Sequence, residues 1–537
     1  MKHLITLISI VGFAAVAHAN VSRYTISQNS SAAQTDGSVV VDSNKTNGIY
    51  ISKSFYGADT NGFSRLPKAS LVTPLNLNFV KFGGNLHSVY NWDLNLYLES
   101  ITGIQRVYAP LAARLEFVQN SYKATPMFQV NMMGFQPDYD SNGHLKFMNT
   151  ANEVHAANAI RFLNGQKGLG LKHILMGNEP WDSQDVHGVA IPSADEYIAK
   201  YIKYAIALRD AQASISGDAN DLKLWGPETA QGWANWQTTH PADCTVNYQL
   251  PGHYACAYGN GQFSEFIPYF LARLAAAEQD RTINPKGYKL LDYLTWHYYP
   301  LFRNQFADSE SVIKDRNGQQ NVAGMLESVN LWTNWDYINQ YDSASPKGVA
   351  PHIIQKFQGW RDAYYPSAKI AVTEFGVDST ENVEYHPIVR PLYLADLVAR
   401  VGEAGVNTFV NSFLQGARGG DAWGMINGEK LSRLYHVYSL FSNNYLGQVV
   451  SSSDTYGDKV NVYSVKTNNA TNVILVNKDT VAHKPALSHQ GANGSTKLSS
   501  LVLPAWSITV VTLPDNRGDV LVQQYGAQEM GIPVSNY

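Results

Sequence analysis

The sequence predicts a (β/α)8 barrel followed by a β-sandwich, and three observations carry that reading. From Tyr50 to Gly447, eight apolar or β-branched runs alternate with segments whose apolar residues recur at helical spacing. Two of the eight runs end in a carboxylate, Glu179 and Glu374, and barrel sites lie at the C-terminal ends of strands. After Gly447 the texture changes to short alternating runs separated by Gly, Asn and Asp, the pattern of a small sandwich.

The barrel strands are predicted at 50–58, 79–82, 125–132, around Ile174, and at 222–225, 290–298, 370–375 and 406–413. Helices are predicted at 151–163, 193–213, 263–277, 352–364, 388–404 and 431–446. The helix at 193–213 opens on Ser193 with Glu196 three residues on, the pair that makes a capping box. The first strand–helix unit is the least regular, because 66–75 contains Pro67 and Pro74. Sandwich strands are predicted at 448–455, 459–466, 472–477 and 499–513, with 21–27 returning to join them. The expected domains are a signal peptide at 1–19, an N-terminal segment at 20–48, the barrel at 49–447 and the sandwich at 448–514. The tail at 515–537 has no assignment.

Lys2 and His3 precede an apolar run at 4–16, and Ala17-His18-Ala19 is a small-x-small cleavage site. A mature chain starting at Asn20, secreted or periplasmic, is therefore expected. No later stretch is long and apolar enough for a membrane span. The chain has 40 Lys and Arg against 44 Asp and Glu, which is no footprint for nucleic acid. Aromatics are 12% of residues and charged residues only 16%, a balance that suits stacking on neutral sugars. No phosphate loop, dinucleotide fingerprint or HExxH occurs, so neither cofactor nor metal is expected, and a monomer is the expected state. The two cysteines, Cys244 and Cys256, are close in sequence and predict one disulfide in an exported protein.

The chemistry concentrates in Gly177-Asn178-Glu179-Pro180 and Thr373-Glu374-Phe375-Gly376. An Asn-Glu at one strand end is by itself most often a solvated cap. Two strand-end carboxylates are what glycoside hydrolysis requires: one protonates the leaving oxygen and the other attacks the anomeric carbon. Apolar walls around a carboxyl raise its pKa and suit it to the acid role. Strands four and seven, which carry the pair, lie across the barrel rim from each other.

Further stretches narrow the reading. Phe82-Gly83-Gly84-Asn85 with Tyr90-Asn91-Trp92 resembles the (W/F)GGN…YNW segment of glycoside hydrolase family 44, which contains endoglucanases and xyloglucanases. Gly177-Asn178-Glu179-Pro180, Trp296-His297-Tyr298-Tyr299-Pro300 and Thr373-Glu374-Phe375-Gly376 follow in that family's order. The run Leu503-Pro504-Ala505-Trp506-Ser507-Ile508-Thr509-Val510 looks like the last strand of its sandwich. The resemblance implies a retaining barrel hydrolase with Glu179 as acid/base and Glu374 as nucleophile. It implies that Asn178 binds the sugar 2-hydroxyl and that Tyr299 holds the nucleophile. His297 and Tyr299 are two apart and share a strand face, and both, with Asn85, are candidate substrate-binding residues. The chain departs from the family at Lys81, where Arg is usual, and an ammonium cannot make the guanidinium's fork to a carboxylate.

Trp92, Trp181, Trp233, Trp236 and Trp423 follow predicted strands and are candidate sugar platforms, whereas Trp225, Trp296 and Trp360 fall inside elements and are expected in the core. Glu228, Asp378 and Asp59 are read as subsite or surface groups. The expected activity is retaining cleavage of internal β-1,4-glucosidic bonds in a polysaccharide such as a cellulose derivative or xyloglucan. A mannanase, xylanase or exo-acting glycosidase is the alternative among enzymes. A non-catalytic sugar-binding protein is the alternative outside them.

Overall fold

The structure is a computed structural model that describes residues 21–27, 34–60, 62–180, 188–230, 242–246, 254–300, 320–333, 353–377, 385–416, 424–492, 494–516 and 518–534. The predicted signal peptide, Trp181, Trp233, Trp236, Asp378 and Trp423 lie outside these residues.

Sheet strands β1 (Ser22–Ile26) and β2 (Gly37–Ile51) precede the eight barrel strands. The barrel strands are β3 (Tyr56–Asp59), β4 (Phe79–Phe82), β5 (Thr125–Val130), β6 (His173–Met176), β7 (Lys223–Ala230), β8 (Tyr293–Tyr298), β9 (Lys369–Phe375) and β10 (Thr408–Asn411). They close in sequence order, β3 through β10 and back to β3, with every neighbouring pair parallel. The helices between them bury apolar faces against the strands. The longest, α1 (Ala194–Ser216), starts at the Ser193–Glu196 capping box that the sequence predicts.

The barrel interior is built in two levels. The lower is apolar: Phe79, Met127, Leu175, Trp225, Tyr293 and Ala371 form one buried cluster, with Trp225 stacked on Tyr293 at 3.6 Å between ring centroids. Two residues further along four of the same strands, and so on the same face, stand Lys81, Gln129, Thr295 and Thr373, all buried and polar. This polar level is the floor of the site.

After the barrel come β11 (Gly447–Asp454), β12 (Val460–Lys466), β13 (Ala470–Asn477), β14 (Pro485–Gly491), β15 (Gly494–Leu498), β16 (Ser507–Pro514) and β17 (Val520–Gly526). With β1 and β2 they form one nine-stranded sheet in the order β1-β17-β16-β13-β12-β11-β2-β14-β15. All nine strands contribute to one core, which includes Ile26, Val39, Val450, Val460, Leu475, Leu487, Leu498, Val511 and Val522. Residues of other parity, such as Ile474, Val476, Ile508 and Val510, belong instead to the barrel's cluster. The sheet is thus packed on the barrel through one face.

Three boundaries differ from the sequence reading. The predicted first barrel strand is split: Tyr50 and Ile51 end β2 in the sheet, and the barrel begins at Tyr56. β2 escapes a period-2 reading because its pairing with β11 shifts register twice, between Asp42 and Thr46 and between Thr46 and Tyr50. The unassigned tail contains β17, which pairs with both β16 and β1. The cysteines do pair: Cys244 and Cys256 face each other across a short hairpin and are joined by a disulfide. Among the described residues no helix is long and apolar enough to cross a membrane.

Candidate active site

The two predicted carboxylates meet at the barrel mouth through irregularities in the strands. A one-residue slip turns a side chain to the other face of a sheet. In β9 the pairing with β8 slips between Trp296 and His297, so His297 lies opposite Glu374. Glu374 follows the inward-facing level of Ala371 and Thr373, and the slip brings it inward as well. β7 slips against β8 between Gly226 and Thr229, the stretch that contains Glu228. Gly177, Glu179 and Glu228 all have positive φ, at 82°, 36° and 56°. Left-handed backbone at two glutamates costs of order 1–3 kcal/mol each, and such residues cluster at functional sites. The two glutamates are tied together, since the Glu179 amide donates to the Glu228 carbonyl at 3.0 Å.

Lys81 is the hub beneath them. It is fully buried, and its Nζ lies 2.7 Å from Glu374 Oε1, 3.3 Å from Glu228 Oε2 and 3.5 Å from Asp59 Oδ2. Burial alone would discharge it, but these three carboxylates outweigh the burial and hold it protonated well above the ordinary lysine range. The glycine beside it is a packing requirement: a Cβ on Gly83 would sit 2.5 Å from Lys81 Cε. Gly84 adopts φ 91° and donates its amide to Gln129 Oε1 at 2.8 Å. The Gly-Gly of the sequence motif therefore lets the chain fold over the lysine.

Glu374 accepts from Lys81 on one oxygen and from the Tyr299 hydroxyl, at 2.7 Å, on the other. Burial would raise its pKa, yet the charges of His297 and Lys81 and these two hydrogen bonds lower it to about 2. His297 is fully buried, with Nδ1 2.8 Å from Glu179 Oε1 and 3.5 Å from Glu374 Oε2, and Nε2 2.9 Å from Glu228 Oε2. Burial would lower its pKa and Lys81 adds to that, but Glu374 and the bonds to Glu179 and Glu228 raise it to about 9. Both ring nitrogens therefore donate near neutral pH. Glu179, Glu374 and His297 bring an oxygen or nitrogen each within 4.8 Å of one another, the one such cluster among the described residues. His297 Nδ1 stands between the two carboxylates, 2.8 Å from Glu179 Oε1 and 3.5 Å from Glu374 Oε2, a geometry in which a proton can pass between them.

The remaining predicted residues divide. Asn178 donates to Asn85 Oδ1 at 2.7 Å, and Asn178 Oδ1 has no partner among the described residues. His297 lies below the carboxylates with both nitrogens engaged, so it does not reach a sugar. Trp92 is not a platform: its ring packs on His155 and Phe162, and its Nε1 donates to the His155 carbonyl on helix 153–160. Trp225 and Trp296 are fully buried, as expected. Asp59 and Glu228 are neither surface nor subsite groups, since both are completely buried against Lys81. Lys81, which stands where the family resemblance implies Arg, hydrogen-bonds Glu374 and forms ion pairs with Asp59 and Glu228, so one ammonium faces carboxylates on three different strands.

A closed parallel barrel whose mouth holds two carboxylates, one gripped by lysine and tyrosine and one beside histidine, is an arrangement that suits glycoside hydrolysis. Residues 129–301 match the model of glycoside hydrolase family 44. Endoglucanase A of Paenibacillus lautus is 27% identical over 226 residues, which are 40% of this chain and 27% of that protein. The chain therefore spans about a quarter of the length of this curated relative. Among solved structures, the family 44 xyloglucanase of Paenibacillus polymyxa superposes with a TM-score of 0.63 at 15% identity, over 92% of this chain and all (100%) of that one. The family 44 endoglucanase of Clostridium thermocellum superposes with a TM-score of 0.62 at 14% identity, over 91% of this chain and 100% of its own. Residues 129–301 thus resemble glycoside hydrolase family 44, and the chain shares the fold of the solved family 44 structures.

Proposed function

We propose that this chain is an exported, retaining endo-β-1,4-glucanase acting on a neutral glucan, plain or branched as in xyloglucan. The observation that carries the proposal is the spacing of the carboxylates. Oxygens of Glu179 and Glu374 lie within 4.8 Å of each other. Retaining enzymes hold the two carboxyl groups about 5–5.5 Å apart, whereas inverting ones leave room for a water at about 6.5–9.5 Å.

In this reading Glu374, kept ionised by Lys81 and Tyr299, attacks the anomeric carbon. Glu179, the more exposed of the pair with 16% of its side chain accessible, gives a proton to the leaving oxygen. Water then receives the sugar from Glu374, with Glu179 taking the proton. The open Oδ1 of Asn178 accepts from the 2-hydroxyl. The substrate class rests on the relatives, which are named as an endoglucanase and a xyloglucanase, and on the near-neutral composition. Export rests on the N-terminal run with its Ala17-His18-Ala19 site. Viscosity followed against reducing ends on carboxymethylcellulose, xyloglucan and glucomannan tests the substrate and the mode of attack. A rapid viscosity fall on a glucan is expected. Release of monosaccharide alone, or activity confined to xylan, contradicts the proposal.

A further inference from the structure

Glu228 is a third glutamate at the mouth, and neither step above uses it. It is completely buried, sits at a left-handed φ of 56°, and is joined to the proposed acid/base through its carbonyl. Its amide donates to Thr295 Oγ1 at 3.0 Å, and its carboxylate Oε2 faces His297 Nε2 at 2.9 Å.

His297 Nε2 has two competing neighbours. One is Glu228 Oε2 at 2.9 Å; the other is the Lys81 ammonium at 3.4 Å. A carboxylate there demands a proton on Nε2, and an ammonium demands a lone pair. The carboxylate is nearer and carries the opposite charge to an imidazolium, so it decides the outcome. The other nitrogen, Nδ1, then faces the gap between Glu179 and Glu374 with a proton of its own.

Resting on the reading of Glu179 and Glu374 as the reacting pair, we propose that Glu228 is a positioning residue. It pins a proton on His297 Nε2 and so keeps a second, transferable proton on Nδ1 for Glu179. The step balances. The Nδ1–H bond breaks, an O–H bond forms on Glu179, and a neutral imidazole remains with its Nε2 proton accepted by Glu228. The reverse transfer restores the imidazolium. The groups that face this dyad are Lys81 from β4, Asp59 from β3 through Lys81, Thr295 from β8, Glu374 from β9, Glu179 after β6, and the phenols of Tyr197 and Tyr201 from α1. Burial first, and then the neighbouring charges, pushes both phenols well above the ordinary tyrosine range, so they stay neutral. In Glu228→Gln the carboxylate charge is gone, Lys81 becomes the dominant neighbour of Nε2, and the ring is expected as the neutral Nδ1–H form.

The test is ¹⁵N-histidine NMR of the full chain, with the His297 signals assigned by their loss in His297→Gln. The wild type should show both His297 nitrogens protonated from pH 6 to 8. In Glu228→Gln the His297 titration should fall by about one to three pH units, leaving Nε2 unprotonated at pH 7. A neutral His297 in the wild type at pH 7 overturns the proposal, as does an imidazolium unchanged in Glu228→Gln. If that variant does not fold, the wild-type spectrum still decides. The spectra need no turnover, so they are independent of whether the chain cleaves a glucan. Given an active enzyme, Glu228→Gln should also lower kcat with KM nearly unchanged and move a limb of the pH profile. A merely structural role would leave that limb in place.

Discussion

Two buried charge clusters in this molecule are built on opposite principles. At the barrel mouth, Asp59, Glu179, Glu228 and Glu374 share two cationic groups, Lys81 and His297. At the junction of barrel and sheet the balance is reversed. Asp396, on helix 389–403, receives Arg400 Nε at 3.0 Å, Lys478 Nζ at 3.0 Å, Asn461 Nδ2 at 2.7 Å and the Tyr463 hydroxyl. One carboxylate there has every lone pair served, by groups from both the helix and the sheet. The junction cluster is a satisfied network and holds the two layers together. The mouth keeps surplus negative charge in a desolvated place, which is where perturbed proton affinities are useful. Removing a group from the first should cost stability, and removing one from the second should cost rate.

The largest effect expected of that contrast is on rate. Glu179→Gln should lower turnover on glucan by about a hundredfold to ten-thousandfold. Glu374→Gln should lower it at least as much, and both variants should still fold, with Glu374→Gln melting earlier because Lys81 loses its nearest carboxylate. Azide should restore turnover to Glu374→Ala on an activated aryl glycoside, giving the inverted glycosyl azide. Near-normal activity in either Gln variant would remove the mouth from the chemistry. The matching change at the junction is Asp396→Ala, which leaves Arg400 and Lys478 without their carboxylate. It should destabilise the chain by about 3–5 kcal/mol in urea unfolding while the folded fraction keeps its specific activity. A loss of activity with unchanged stability would erase the distinction between the clusters.

A finer comparison is the pH dependence of stability. At the junction, burial would raise the Asp396 pKa, but Arg400, Lys478 and Tyr463 hold it far below its ordinary 3.8. Its contribution is present above 3.8 and is lost as pH falls further into acid. At the mouth the raised histidine works the other way. The contribution of His297 is complete below its ordinary 6.5 and is lost as pH rises through about 9. Urea midpoints should therefore fall on both flanks. Asp396→Asn should flatten the acid flank and His297→Gln the alkaline one, and the reverse pattern would show the two roles to be exchanged.

Much of the barrel is legible in the sequence, because each strand is a short apolar run bounded by Gly, Pro or a helix, and the catalytic candidates stand at strand ends. The third glutamate is not. Glu228 follows Gly226-Pro227 at a strand end, where a charged side chain is ordinarily solvated. Only the meeting of β4, β7 and β8 shows that Lys81 and His297 surround it. Trp92 misleads for a related reason. It follows a strand run and looks like rim, but the chain from Tyr90 to Arg106 forms a small three-stranded meander that turns its ring onto a helix. Lys81 read alone is a departure from Arg, and its fitness appears once three carboxylates are placed around one ammonium. The last sheet strand left a trace in the sequence, since Val520, Val522 and Gln524 alternate with Leu521 and Gln523, and in the structure Leu521 to Gly526 pair with Ser507 to Thr512.

The most direct test of the account is the configuration of the first product. Proton NMR of a cello-oligosaccharide digest, recorded within the first minutes of reaction, separates the anomers before mutarotation. Attack by Glu374 followed by water on the opposite face predicts the β-anomer first. Initial release of the α-anomer would mean that water and not Glu374 attacks the sugar, and would contradict the account of the mouth.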